Sequence, residues 1–233
     1  MIHGFLGDAR SFDDLAISAV RVALPGHGSD PVGSWNEGLR AVAAQIGDVE
    51  IVVGYSLGAR VALGLVASAR APRAILIGVN PGLVSAEERA ARLASDQAWA
   101  SMVRRSGIAA FLDAWEAQPL FATQARVDPA RLAARRARRL RLDPEGIARS
   151  LETMGLAQMP DYHAAIASNA SRLHLIAGAD DARFVAIARA LVAECPALPL
   201  DLVADSGHDP ILEQPEGLSR AITRAITRFV TNV

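Results

Sequence analysis

The apolar run at residues 49–53 passes straight into Gly54-Tyr55-Ser56-Leu57-Gly58, and a helical spacing of apolar residues starts at once, over residues 57–69. A buried strand feeding a helix across a one-serine turn is the repeating unit of sheets whose parallel strands are joined by crossover helices. A serine at that apex occupies a sharp, strained turn, and glycines on either side relieve the crowding. The same five residues elsewhere would be an ordinary glycine-rich loop; the strand before and the helix after make the pattern specific.

The rest of the chain repeats this alternation. Residues 20–24, 49–53, 74–79, 173–177 and 200–203 are short apolar runs and are expected to be strands. Residues 34–46, 57–69, 184–194 and 216–230 space apolar side chains three and four apart, as one-sided helices do. The expected fold is α/β: a mostly parallel sheet covered by helices on both faces. Between residues 85 and 168 the alternation stops, and helix-forming Ala, Arg, Leu and Glu run on with breaks at Gly107, Pro119, Pro129, Pro144 and Pro160. Residues 1–84 and 169–233 are therefore expected to form the core, and 85–168 a helical cap. Such a cap lies where loops leave the carboxyl ends of the strands, the usual ligand side of open α/β sheets. Met1 and Ile2 leave little strand before His3 and Gly4, so a shortened amino terminus is expected.

A length of 233 residues suits one α/β core of about 200–250 residues with a small insertion. The net charge of −1 argues against a broad footprint for nucleic acid or anionic membrane. All 24 basic residues are arginine, which suits carboxylate recognition, although codon usage yields the same composition. The single cysteine, Cys195, excludes an internal disulfide and a cysteine-rich zinc site. No metal or dinucleotide motif is present, so no cofactor is expected. With no long uncharged apolar stretch and no signal pattern, the expectation is a cytoplasmic protein without membrane insertion, a monomer or weak homo-oligomer.

A serine hydroxyl needs a base. Of five histidines, His3 and His27 precede Ser56, His163 lies in the cap, and His174 alternates within a strand as a packed core residue would. His208 follows a strand in the loop Asp205-Ser206-Gly207-His208-Asp209 and fits the base. The acid is expected after the preceding strand, where both Asp180 and Asp181 are available; spacing from Gly178 favours Asp181. Leu57, at a helix start, offers its backbone N–H to a developing oxyanion, and Phe5, in the turn His3-Gly4-Phe5-Leu6-Gly7, offers a second.

Together, residues 3–7, Leu24-Pro25-Gly26-His27-Gly28, Gly54 to Gly58, and Gly207-His208 resemble the α/β-hydrolase superfamily along nearly the whole chain. Further stretches resemble one branch, the 2-succinyl-6-hydroxy-2,4-cyclohexadiene-1-carboxylate synthases (MenH) of menaquinone biosynthesis. These are Arg60 after the serine motif; Asn80 to Leu83 before Glu87, Glu88, Arg89 and Arg92; Ser95, Asp96 and Trp99; Phe111, Trp115 and Gln118 to Phe121; and Gly178, Asp181, Arg183 and Phe184. The resemblance implies Asp181 as the acid of a Ser56–His208–Asp181 triad. It implies elimination of pyruvate from 2-succinyl-5-enolpyruvyl-6-hydroxy-3-cyclohexene-1-carboxylate by proton abstraction from carbon. Arg60, Arg92 and Arg139 match the family's anion-binding arginines for this polycarboxylate, and Tyr55 and Trp115 are expected to line the pocket. Two residues depart from the pattern: Ala59 stands where a second glycine is common, and Glu116 where an aromatic often follows the tryptophan.

The same residues would serve an esterase or thioesterase working through an acyl-serine, and the fold alone also admits a catalytically inactive binding protein. Several cations facing the serine separate the first reading from a hydrolase of neutral esters.

Overall fold

The computed structural model describes residues 1–231. In chain order the core begins with α1 (Trp35–Ile46), β1 (Val52–Tyr55), α2 (Leu57–Ala67) and β2 (Ala74–Ile77). Four helices follow: α3 (Ala86–Glu116), α4 (Pro129–Arg139), α5 (Pro144–Met154) and α6 (His163–Ser168). The core resumes with β3 (Leu173–Gly178), α7 (Ala182–Glu194), β4 (Leu200–Val203), α8 (Pro210–Glu213) and α9 (Pro215–Thr231).

The four strands form one parallel sheet in the order β1-β2-β3-β4, with Val52 opposite Ala74, Ala74 opposite Leu173, and Leu175 opposite Leu200. Alternate side chains leave opposite faces of a strand. Ala74, Leu76, Leu173 and Leu175 accordingly pack with Leu39, Leu63 and Leu191 from α1, α2 and α7. Val53, Ile75, Ile77 and Ile176 pack on the other side with Leu218, Ile222 and Phe229 from α9. Burial on both faces is why β1, β2 and β3 read as continuous apolar runs. The edge strand β4 is only partly buried.

The expected strand at 20–24 is reduced to a single parallel bridge between Val22 and Ile2, and Ile2 bridges on to Gly54 of β1. Side chains take the backbone bonds that a ladder would have used: Leu24 N–H donates to His3 Nε2 at 3.1 Å, and Ala23 N–H to Gln45 Oε1 at 3.3 Å. Ile2 is nonetheless fully buried and extends the sheet by one residue beside β1.

Between residues 85 and 169 the chain forms helices at Ala86–Glu116, Pro129–Arg139, Pro144–Met154 and His163–Ser168, joined by turns. Ser85 caps α3 by accepting Glu88 N–H, and Asp128 and Asp143 cap α4 and α5, each followed by proline at the first helical turn. Gly107 breaks the regularity of α3 with φ 74°, a left-handed conformation suited to glycine. Val103, Phe111 and Leu112 of α3 pack with Ile147 and Leu151 of α5 and with Leu6 of the amino-terminal loop, a small apolar cluster separate from the two faces of the sheet. Among the described residues no helix is long and apolar enough to cross a membrane.

Candidate active site

Ser56 stands between β1 and α2 with φ 52° and ψ −108°, strained values for a residue with a side chain. Its N–H donates to Ile77 O at 2.8 Å, and its carbonyl accepts Arg60 N–H at 3.1 Å, so the turn is held from both sides. The flanking glycines are steric necessities. A methyl group on Gly54 would collide with the Gly58 carbonyl, and one on Gly58 with the carbonyls of Ile2 and His3. The strand and the helix therefore approach more closely than any larger residue permits.

The loop after β4 places His208 beside this turn, with Nε2 3.1 Å from Ser56 Oγ. On the far side of the ring, Nδ1 lies 2.8 Å from Asp181 Oδ2. The carboxylate can only accept, so Nδ1 carries the proton and Nε2 is free to accept from the serine hydroxyl. Asp181 and His208 are both buried. Phe184 lies against the imidazole at 4.3 Å, and Gly78 leaves it room, since a Cβ there would approach His208 Cε1 at 3.1 Å. A hydroxyl in this chain of hydrogen bonds can pass its proton to a neutral imidazole whose resulting charge faces a carboxylate.

The two adjacent aspartates point to different partners. Asp181 Oδ1 accepts Phe184 N–H at 3.1 Å, which starts α7 two residues earlier than the apolar spacing predicts. Asp180 turns to the surface, where it pairs with Arg126 at 2.6 Å. His174, the packed strand histidine, is buried 2.8 Å from Asp201, and His163 is paired with Asp161 at the surface.

In front of Ser56 lies a cavity of about 350 Å³. Phe5 and Leu57 both line it, and neither backbone N–H has a protein acceptor among the described residues. His3 shapes the loop that presents Phe5: the fully buried ring makes a 2.8 Å hydrogen bond from Nδ1 to Gly4 O and accepts Leu24 N–H at Nε2. Burial lowers the His3 pKa to about 4, so the ring stays neutral at physiological pH.

Arg60, from α2, and Arg92, from α3, both line this cavity. Arg60 is buried, donates to Met154 O at 3.2 Å and stands 6.0 Å from the Trp35 ring. Burial first, then repulsion from Arg92, lowers its pKa to about 9, still cationic at neutral pH. Arg92 is held by Asp96 at 2.9 Å, and burial raises the pKa of that aspartate. Trp115 forms an aromatic wall with Phe5 at 4.9 Å and Trp99 at 5.2 Å.

Tyr55 and Arg139 do not line this cavity. They line a neighbouring one of about 270 Å³, on the other side of the loop bearing Phe5, which contributes to both. Glu116 accounts for the position of Arg139, binding it at 2.8 Å and Arg136 from the same helix at 2.8 Å. Thus the charge that interrupts the aromatic pattern after Trp115 holds the arginine to itself. Arg183, quoted above only as part of a motif, lines the Ser56 cavity beside His208; its place two residues after Asp181 was the available signal. Among the described residues no group of His, Cys, Asp and Glu could hold a metal ion.

A family model described as the alpha/beta hydrolase family matches residues 1–221. The chain belongs to the alpha/beta hydrolase family. Within it, the chain is similar to a 2-succinyl-6-hydroxy-2,4-cyclohexadiene-1-carboxylate synthase of Salmonella agona, 30% identical over 240 aligned residues that cover 97% of this chain and 92% of the relative. Among solved structures it is similar to MenH from S. aureus, with a TM-score of 0.88 at 25% identity over 98% of this chain and 92% of that one. A thermophilic esterase from Thermogutta terrifontis, solved with malate bound, shares the fold, with a TM-score of 0.79 at 21% identity over 98% and 88% of the two chains.

Proposed function

We propose that this member of the alpha/beta hydrolase family is a cytoplasmic carbon–oxygen lyase that eliminates pyruvate from 2-succinyl-5-enolpyruvyl-6-hydroxy-3-cyclohexene-1-carboxylate. The observation that carries the reading is the placement of two arginines, Arg60 and Arg92, in the same cavity as a serine already hydrogen-bonded to a buried imidazole. A neutral ester would not call for them, whereas a substrate with several carboxylates would. The likeness to synthases named for the product of this reaction points the same way.

In this account His208 Nε2 takes the Ser56 proton, and the alkoxide removes a proton from a ring carbon. The electrons of that C–H bond form the new ring double bond, and the C–O bond to the enolpyruvyl group breaks. The departing enolate takes up the proton held by the His208 imidazolium and leaves as pyruvate, which restores the neutral imidazole beside a reprotonated Ser56. Asp181 stabilises the imidazolium, and the N–H groups of Phe5 and Leu57 stabilise charge delocalised onto a substrate carbonyl or carboxylate. No acyl-enzyme forms. Residues 85–168 act as the cap, supplying Arg92 and Trp115, while residues 1–84 and 169–233 supply the Ser56, His208 and Asp181 side chains.

The test is substrate class. The purified protein is assayed for pyruvate release from the enolpyruvyl substrate, generated in place by the upstream enzyme, and for hydrolysis of aryl esters and thioesters. Pyruvate release far above the spontaneous rate, with weak ester hydrolysis, supports the lyase. The reverse pattern assigns the same residues to an acyl-serine hydrolase.

A further inference from the structure

The loop bearing His208 is braced from two sides. From the core, the Glu213 carboxylate of α8 accepts Gly207 N–H at 2.8 Å and Asp209 N–H at 3.3 Å, pinning the residues on either side of the histidine. From the helical segment above, Arg135 of α4 donates to Asp209 Oδ2 at 2.9 Å, while Asp209 Oδ1 accepts Leu212 N–H at 3.3 Å and caps α8. Arg135 is itself fixed by a second donation, to Gln124 Oε1.

Burial distinguishes this pair from its neighbours. Arg126–Asp180, Arg131–Asp14 and Arg138–Asp8 also tie the helical segment to the core, but their side chains are roughly one-third to more than one-half exposed. Exposed pairs of that kind contribute little. Arg135 and Asp209 are exposed by only 10% and 8%, where an unmatched charge is costly and geometry is held tightly. The buried residues of α4 are Arg135 and Arg139, so this helix is seated on charge rather than on apolar packing.

We propose that Arg135 is a positioning residue for His208: acting through Asp209, it makes the alignment of the imidazole on Ser56 depend on the seating of α4. Arg135 lines the neighbouring cavity and not that of Ser56, so its influence passes through the loop. The inference rests on the reading that His208 serves Ser56, but not on which substrate is turned over.

Two readouts test it. The first is the low-field proton resonance of His208 Nδ1–H bonded to Asp181, assigned by its loss in His208→Gln. The second is the split between kcat and KM for pyruvate release. Arg135→Met is expected to shift or broaden the resonance and to lower kcat about tenfold to a hundredfold, with KM changed less than about threefold, the scale set by a displacement of about 1 Å at a reacting group. Arg135→Lys restores part of both, and Arg135→Met/Asp209→Asn is no worse than the poorer single variant. An unchanged resonance and kcat in Arg135→Met, with a wild-type unfolding midpoint, overturn the proposal. If that variant does not fold, Gln124→Leu, which removes one of the two bonds holding Arg135, carries the same test. If the wild type releases no pyruvate, the lyase reading fails, and the resonance alone still decides whether Arg135 positions His208.

Discussion

Asp181 holds His208 with one carboxylate oxygen while the other starts the helix that follows: Oδ2 lies 2.8 Å from the imidazole Nδ1, and Oδ1 accepts Phe184 N–H at 3.1 Å. One side chain thus orients a histidine and caps α7, and the two tasks separate by substitution. Asn caps helices about as well as Asp but does not hold the imidazole in the same tautomer. Asp181→Asn is expected to lower kcat by about 10³- to 10⁴-fold with little loss of stability. Asp181→Ala should lose activity similarly and also about 1 kcal/mol of stability. Steady-state kinetics beside thermal unfolding of both variants check this, and Asp180→Ala, at the exposed pair with Arg126, should resemble the wild type in both.

The serine turn rests on absent side chains. Gly54→Ala and Gly58→Ala each place a methyl group onto backbone carbonyls that cannot move independently of the strand or helix. Each is expected to cost about 3 kcal/mol or more, beyond the usual range for overpacking by one carbon. Gly28→Ala, at φ 97° with open space around it, meets only backbone strain and should cost about 1–3 kcal/mol. Urea denaturation of the three variants gives the ranking directly.

Of the arginines that line the Ser56 cavity, Arg60 and Arg92 should behave differently. Arg92 is one-third exposed at the cavity and, among the described residues, tied only to Asp96, so Arg92→Ala is expected to raise KM about tenfold for a carboxylated substrate with kcat within a few-fold. Arg60 also donates to Met154 O and stands by Trp35, so Arg60→Ala should raise KM and lower the unfolding midpoint as well. Equal stability of the two variants would contradict the structural share assigned to Arg60.

Acid should destabilise the protein through His3 and His27, two buried histidines whose rings lie 5.5 Å apart. Burial lowers the His3 pKa to about 4; burial, then repulsion from His3, lowers that of His27 to about 3. The unfolded chain takes up protons below about pH 6.5 that the folded chain refuses, so this contribution is complete above pH 6.5 and lost as pH falls toward 4 and then 3. The slope approaches about 1.4 kcal/mol per pH unit for each histidine. Denaturation midpoints between pH 7 and pH 4 should fall accordingly, and His27→Gln should flatten the curve.

Steric and periodic features were legible in the sequence. The glycines around Ser56 are written there because two backbones touch, and the alternation of strands and helices because the sheet is buried on both faces. Features decided by direction were not. Spacing from Gly178 and the family resemblance favour Asp181 over its chemically identical neighbour, but the outward turn of Asp180 to Arg126 follows only from the course of the loop after β3. In α4, arginines at 131, 135, 136, 138 and 139 look alike in a list, yet the carboxylate each meets sorts them: Asp14, Asp209, Glu116 and Asp113, Asp8, and Glu116 again. The run at 20–24 has strand composition, but His3 and Gln45 take bonds that its ladder needs, and no local pattern announces a competitor so close in space.

The central claim is that the Ser56 hydroxyl, served by His208, drives loss of pyruvate. The most direct measurement is the initial rate of pyruvate release by the wild type, Ser56→Ala and His208→Ala at equal concentration, corrected for the spontaneous reaction. The account predicts release by the wild type and a fall to near background in both variants, with wild-type unfolding midpoints. Release that persists in folded Ser56→Ala would contradict it.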